Sequence, residues 1–212
     1  MRHAAAITSG LALAAATWAL ASPARAEPLT DKEYDALVAG EVVGRPVDVD
    51  IRGVSYFGVV SYAVIDSSAD DVLAALTNPA AYAEILPRVL EATPTDKRGD
   101  LRYVRLTQGG KLGAATYTVV IKKESPRLVR FWLDPAQHHD IADCWGFYEL
   151  EAIDPKRTLV HWGALLHLDF GVTKLLFTEM IRGYAMTAPA HLRMYLQARE
   201  AATAPPPATP GP

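Results

Sequence analysis

The sequence predicts an α+β fold: one antiparallel sheet with a single long C-terminal helix across one face. Three observations carry this. Between residues 43 and 168, apolar residues recur mostly at period two, in strand-length runs. The gaps between those runs are short and rich in turn residues, which makes consecutive strands antiparallel neighbours. Residues 173–199 then return to helical spacing, with apolar side chains at 175, 176, 177, 180, 181, 184, 192, 194, 195 and 196. An antiparallel sheet has two faces, and one long helix can cover one of them.

Composition narrows the class. The chain has 212 residues, 50% of them apolar and 21% charged, with a formal net charge of −3. That is too hydrophobic for a disordered chain and long enough for one domain. No basic excess exists to attract nucleic acid. The one cysteine, Cys144, excludes an intramolecular disulfide.

Residues 1–26 read as an export signal. Arg2 supplies a positive start, residues 4–21 are uncharged and mostly apolar, and Pro23 breaks any helix. Ala24-Arg25-Ala26 presents small residues at the two positions a signal peptidase reads, so cleavage is expected after Ala26. An uncleaved anchor is the alternative. Loss of Arg2 and Arg25 takes the net charge from −3 to −5. The mature protein is expected in a bacterial periplasm, where ATP and NAD(P)H are scarce. Residues 27–200 then form the domain. Residues 201–212 hold Pro205-Pro206-Pro207, Pro210 and Pro212 but no large apolar residue, and are expected to be a disordered tail.

Within the domain, Thr30 and Glu33 form a capping-box pair that opens a short helix stopped at Gly40. Val43, Val47, Val49 and Ile51 alternate with polar residues, and 54–65 is a longer β-branched and aromatic run. Asp66-Ser67-Ser68 reads as a strand exit feeding an N-cap. Asp70 and Asp71 follow in the first helical turn, where negative charge suits the helix dipole. Asn78-Pro79 punctuates before a second short helix over 80–86, closed by Pro87. Strands follow near 89–95, 101–108, 114–123, 128–133, 144–153 and 159–168. Their connections are tight turns, except for a polar loop over 134–143. Pro189 is expected to kink the last helix, because it lacks an amide proton and crowds the preceding turn.

Residues 59–89 run through Asp66-Ser67-Ser68-Ala69-Asp70-Asp71-Val72, Leu76-Thr77-Asn78-Pro79-Ala80-Ala81-Tyr82 and Leu86-Pro87-Arg88-Val89. This resembles the opening of START-like proteins, the SRPBCC superfamily. It includes polyketide cyclases, a coenzyme-Q-binding group and lipid-transfer domains. Those openings often carry a Trp where Leu73 stands. The likeness spans roughly 46–199. It implies a helix-grip fold, with a curved antiparallel sheet of about six to seven strands wrapped around the long C-terminal helix. Short helices follow the first strand, and an apolar cavity lies between sheet and helix. Most members bind hydrophobic molecules. The resemblance implies no cofactor and no single reaction, so fold alone does not deliver a function.

Catalytic motifs are sparse. No Gly-x-Ser-x-Gly occurs. Gly109-Gly110-Lys111-Leu112-Gly113 lacks the spacing and the Ser/Thr of a phosphate loop and reads as a hairpin turn. His138, His139, Asp140, Asp143 and Cys144 are ligand types that zinc prefers. Adjacent histidines on a strand point opposite ways, and no second His/Cys pair follows at zinc spacing, so no metal is assigned. Cys144 reads as a small buried hydrophobe. Glu179 and Arg182 read as an exposed helix pair, or else as an ionic anchor at the cavity.

Side-chain parity proposes a concave lining of Tyr117, Val119 and Ile121, then Val129, Phe131 and Leu133, then Tyr148 with Gly146 and Leu150. Met180 and Tyr184 join it from the last helix. His161 and His167, six apart on one strand, are candidate polar handles. Both faces of that strand are apolar enough to be covered, so parity leaves open which one looks inward.

The function expected is periplasmic binding, with transfer, of a hydrophobic small molecule or lipid. Transient membrane contact goes with that reading, nucleic acid does not, and the oligomeric state is left open. One alternative is a cyclase or aromatase acting on a polyketide-like substrate, with His161, His167 or Tyr148 as acid or base. Paired carboxylates and an activated nucleophile are missing, and export separates the chain from cytoplasmic polyketide assembly. The other alternative is an interaction module with a filled core. No catalytic residue is assigned.

Overall fold

Eight strands make one antiparallel sheet in a computed structural model that describes residues 28–110, 113–169 and 174–203, without the side chains of 174–177. The export signal and residues 204–212 of the expected tail lie outside the described residues.

Helix α1 (Asp31–Val38) starts at the capping box. Thr30 N–H donates to the Glu33 carboxylate at 2.8 Å, and Glu33 N–H donates to Thr30 Oγ1 at 3.3 Å. Arg45 Nε donates to the same carboxylate at 2.9 Å. The Arg45 and Thr30 hydrogen bonds hold the Glu33 carboxyl down to about 2. One acid thus caps α1 and ties it to strand β1 (Val43–Ile51).

Strand β2 (Val54–Ile65) follows a two-residue turn in which Arg52 and Gly53 are both left-handed, with φ of 54° and 81°. That turn makes 43–51 a full strand of its own, which brings the count to eight rather than the expected six to seven. Ser68 caps α2 (Ala69–Leu76), its Oγ accepting from Asp71 N–H at 3.2 Å. A 3₁₀ turn over Pro79–Ala81 leads into the short α3 (Tyr82–Ile85).

Five strands then run as hairpins: β3 (Val89–Arg98), β4 (Leu101–Gly110), β5 (Gly113–Ser125), β6 (Leu128–Leu133) and β7 (Asp143–Asp154). Strand β8 (Arg157–His167) pairs with β7 and returns to pair with β2. The resulting order is β1-β2-β8-β7-β6-β5-β4-β3.

The C-terminal helix is two helices, α4 (Lys174–Met186) and α5 (Ala188–Thr203), parted at Thr187. Pro189 explains the break: it offers no N–H to the Ala185 carbonyl, and its ring crowds that position. Helix α5 runs three residues into the expected tail, because Ala201 and Ala202 favour the helix and Pro205 comes only later. No helix among the described residues is long and apolar enough to cross a membrane.

Two apolar clusters flank the sheet. On the convex face, Leu37 of α1 packs with Val43 and Tyr62. On the concave face, Val72, Leu76, Tyr82, Ile85, Leu192 and Leu196 of the helices meet Val59, Ile65, Val104, Ile121, Val129, Leu150 and Val160. That region is close-packed. The part of the concave face under α4 is not.

Candidate ligand cavity

A cavity of about 740 Å³ lies between the concave face and α4. Leu106, Tyr117, Val119, Phe131, Cys144, Tyr148, Trp162 and Ala164 form its sheet side. Met180, Ile181, Tyr184 and Ala185 of α4 form the other side, and Leu86, Pro87 and the exposed Arg88 line the end that meets solvent.

Of the positions read from sequence, Tyr117, Val119, Phe131, Tyr148, Met180 and Tyr184 line this cavity. Ile121, Val129 and Leu133 share the concave face but are buried in the packed core instead. His161 and His167 do not line it. Strand β8 turns Val160, Trp162 and Ala164 inward, because β2 presents Val59, Ser61 and Ala63 on that same face. The histidines are therefore on the convex side.

His161 stacks on Tyr62 with ring centroids 4.4 Å apart and meets Phe147 edge-on at 4.9 Å. Its Nδ1 lies 3.5 Å from the Glu149 carboxylate, and its buried Nε2 finds no hydrogen-bond partner. Burial pulls its pKa below the ordinary value, against the opposing pull of Glu149. His167 Nδ1–H donates to the Ser55 carbonyl at 2.9 Å.

Inside the cavity, the Tyr117 hydroxyl donates to Gln108 Oε1, and Gln108 Nε2 donates to the Pro87 carbonyl at 2.7 Å. Tyr148 stacks on Trp162 with centroids 5.9 Å apart. Burial pushes the Tyr117 and Tyr148 phenols and the Cys144 thiol well above their ordinary values. All three stay protonated near neutral pH, so none is poised there as a base or nucleophile.

Leu106, Gln108, Trp162, Ile181 and Arg88 line the cavity without being predicted to from sequence, and Arg88 enters the sequence pattern only as part of the Leu86-Pro87 step. Its φ is 61°. A non-glycine residue held there costs of order 1–3 kcal/mol and persists only when neighbours over-determine it. Here the Arg88 carbonyl accepts from Gly109 N–H at 2.9 Å, while Gln108 holds the carbonyl before it. The guanidinium lies over the Tyr184 ring, 4.6 Å from its centroid.

The polar loop over 134–142 disperses its candidate ligands. The His139 imidazole Nδ1–H donates to the Ile141 carbonyl at 2.7 Å, and Asp140 accepts from Thr116 N–H at 2.8 Å. Asp143 accepts from the Tyr56 hydroxyl. Among the described residues, no three His, Cys, Asp or Glu side chains converge to hold a metal. The Glu179–Arg182 pair does not line the cavity. Arg182 is buried and bridges Glu179 to Asp48 of β1.

An antiparallel sheet closed by a C-terminal helix around an apolar chamber is the helix-grip arrangement. The profile of the family described as polyketide cyclase / dehydrase and lipid transport matches residues 57–188, and the chain belongs to that family. Among solved structures, it is similar to a STAR-related lipid transfer protein from Xanthomonas axonopodis, at 14% identity and a TM-score of 0.58, over 72% of this chain and 98% of that one. The Zhui aromatase/cyclase from a Streptomyces species is 13% identical with a TM-score of 0.55, over 75% and 94% of the two chains. A START superfamily protein from Mycobacterium smegmatis is 16% identical with a TM-score of 0.52, over 76% and 99%. At these identities the likeness is one of fold. No curated protein matches the chain.

Proposed function

We propose that the protein binds a hydrophobic small molecule or lipid in this cavity and passes it on, working in the periplasm. The observation that carries the reading is the apolar chamber of about 740 Å³. Small-molecule sites span roughly 300–1,000 Å³ and are mostly apolar with a few placed polar groups. Binding is by partition. Burying about 300 Å² of apolar ligand surface yields about 7 kcal/mol before binding entropy is charged against it. The family's lipid-transport members support the reading, and Ala24-Arg25-Ala26 supports export. The cyclase alternative loses two of its three candidate acids and bases, since His161 and His167 stand on the outer face, and keeps only Tyr148, which lines the cavity as a phenol that burial holds protonated.

Two experiments test this. Mass spectrometry of organic extracts from protein purified out of the native periplasm should find an apolar ligand, on a chain beginning at Glu27. Titration with the neutral probe N-phenyl-1-naphthylamine should show binding that Val119→Trp weakens about tenfold, with a stability loss under about 1 kcal/mol. Lys122→Trp, on the convex side of the same strand, should bind as wild type does. A wild type that binds no probe, together with a Val119→Trp that unfolds, would mean a solid core and favour the interaction module.

A further inference from the structure

Arg88 is the one charged residue among the described residues of the cavity wall. Five other arginines among the described residues have carboxylate partners: Arg45 has Glu33, Arg98 has Asp96, Arg130 has Glu124, Arg157 has Asp154 and Arg182 has Glu179 and Asp48. The Arg88 guanidinium makes no ion pair or hydrogen bond with any described residue, and its partner is the Tyr184 ring, 4.6 Å away. Its Nη1 lies 3.6 Å from where a Cβ at Gly110 would stand. It therefore spans from α4 to the end of β4 at the open end of the cavity.

The backbone holds it there. Its left-handed conformation is pinned by Gly109 N–H on its own carbonyl and by Gln108 on the carbonyl before it. Strained residues that their neighbours over-determine cluster at active sites and ligand clamps. Here they hold a cation at the mouth of an apolar chamber. Gln108 lines the same wall, and its amide nitrogen retains a second N–H after donating to Pro87.

We infer that the cavity takes an amphipathic anion, with its apolar body in the chamber and its oxyanion head at Arg88 beside Gln108. The head is a carboxylate or a phosphate monoester, since a guanidinium's planar fork of donors matches both. This rests on the hydrophobic-binding reading above. The apolar body supplies affinity, and Arg88, at the wet rim, supplies the choice of head group.

The test displaces N-phenyl-1-naphthylamine with three competitors that share one acyl chain: oleate, 1-oleoyl-lysophosphatidate and oleyl alcohol. At least one of the two anions should compete about tenfold better than the alcohol, the size expected of a charge-assisted hydrogen bond. Arg88→Gln should bring that advantage to within about twofold and leave the alcohol unchanged. Arg88→Gly guards against misfolding, because glycine adopts the left-handed backbone freely, and it should give the same loss. The anion with the larger advantage identifies the head group. Equal competition by all three, or an advantage that survives both substitutions, overturns the inference and leaves hydrophobic binding standing. A wild type that binds neither probe nor competitor overturns both.

Discussion

The Phe131 ring covers Gly146. The two are cross-strand partners on β6 and β7, and a Cβ at Gly146 would stand 2.2 Å from Phe131 Cζ and 2.2 Å from the Gly163 carbonyl oxygen. The missing side chain lets the ring lie along the sheet instead of standing up into the cavity that it lines. The Phe147 ring does the same to Gly163 on the convex face, 2.4 Å from where that Cβ would be.

Gly146→Ala should therefore act on both stability and binding. The methyl group has to push Phe131 into the chamber and strain the β7–β8 pairing. Overpacking of this kind costs roughly 1–3 kcal/mol. Chemical denaturation reads the loss, and titration with N-phenyl-1-naphthylamine should show weaker binding. Wild-type stability with unchanged probe affinity would mean that Phe131 has room to move elsewhere.

Arg182 should anchor α4. Its guanidinium reaches Glu179 on its own helix and Asp48 and the Val47 carbonyl on β1, and it lies near the Phe57 ring. Arg182→Met keeps the apolar stem and frees both carboxylates into water. A loss of about 1–3 kcal/mol is expected, the scale of a hydrogen bond to a charged group. Met180, Ile181, Tyr184 and Ala185 ride on the same helix, so probe should also dissociate faster. Unaltered dissociation alongside reduced stability would show that α4 keeps its place without this contact.

His161 should make stability depend on pH. Burial between Tyr62 and Phe147 favours its neutral form, so its folded pKa is below the unfolded value near 6.5. Well above that value both states are neutral and the group contributes nothing. As pH falls through 6.5 toward the folded value, the unfolded chain takes up the proton first, and stability drops. Urea denaturation at about pH 7.5 and about pH 5 should show a smaller drop in His161→Phe than in the wild type. Equal drops would assign the effect to other groups.

Much of the fold was legible because its signals are local. Thr30 and Glu33 stand three apart and cap α1 as read. Pro189 parts the last helix near the expected kink. The turns at Gly99, Pro126 and Pro155 fall between paired strands. Parity on β5, β6 and β7 named the inward set, because polar residues such as Lys122, Arg130 and Glu149 mark the other face. It could not separate cavity wall from packed core. Val119 and Ile121 share one face of β5, and only the helix lying above each decides between open space and contact.

The amino-acid sequence by itself determined the order of elements, the antiparallel hairpins and the inward face of three strands, since period and turn chemistry are properties of neighbouring residues. Only the tertiary structure decided the face of β8, where both side-chain sets are apolar and the pairing with β2 turns Trp162 inward and His161 outward. It alone set Arg88, whose left-handed backbone depends on contacts from Gly109 and from Gln108, some twenty residues along the chain. The cavity itself belongs to this second group. It is the volume that side chains from separate strands and α4 leave unfilled in an otherwise close-packed interior, and no local pattern encodes a gap between distant segments.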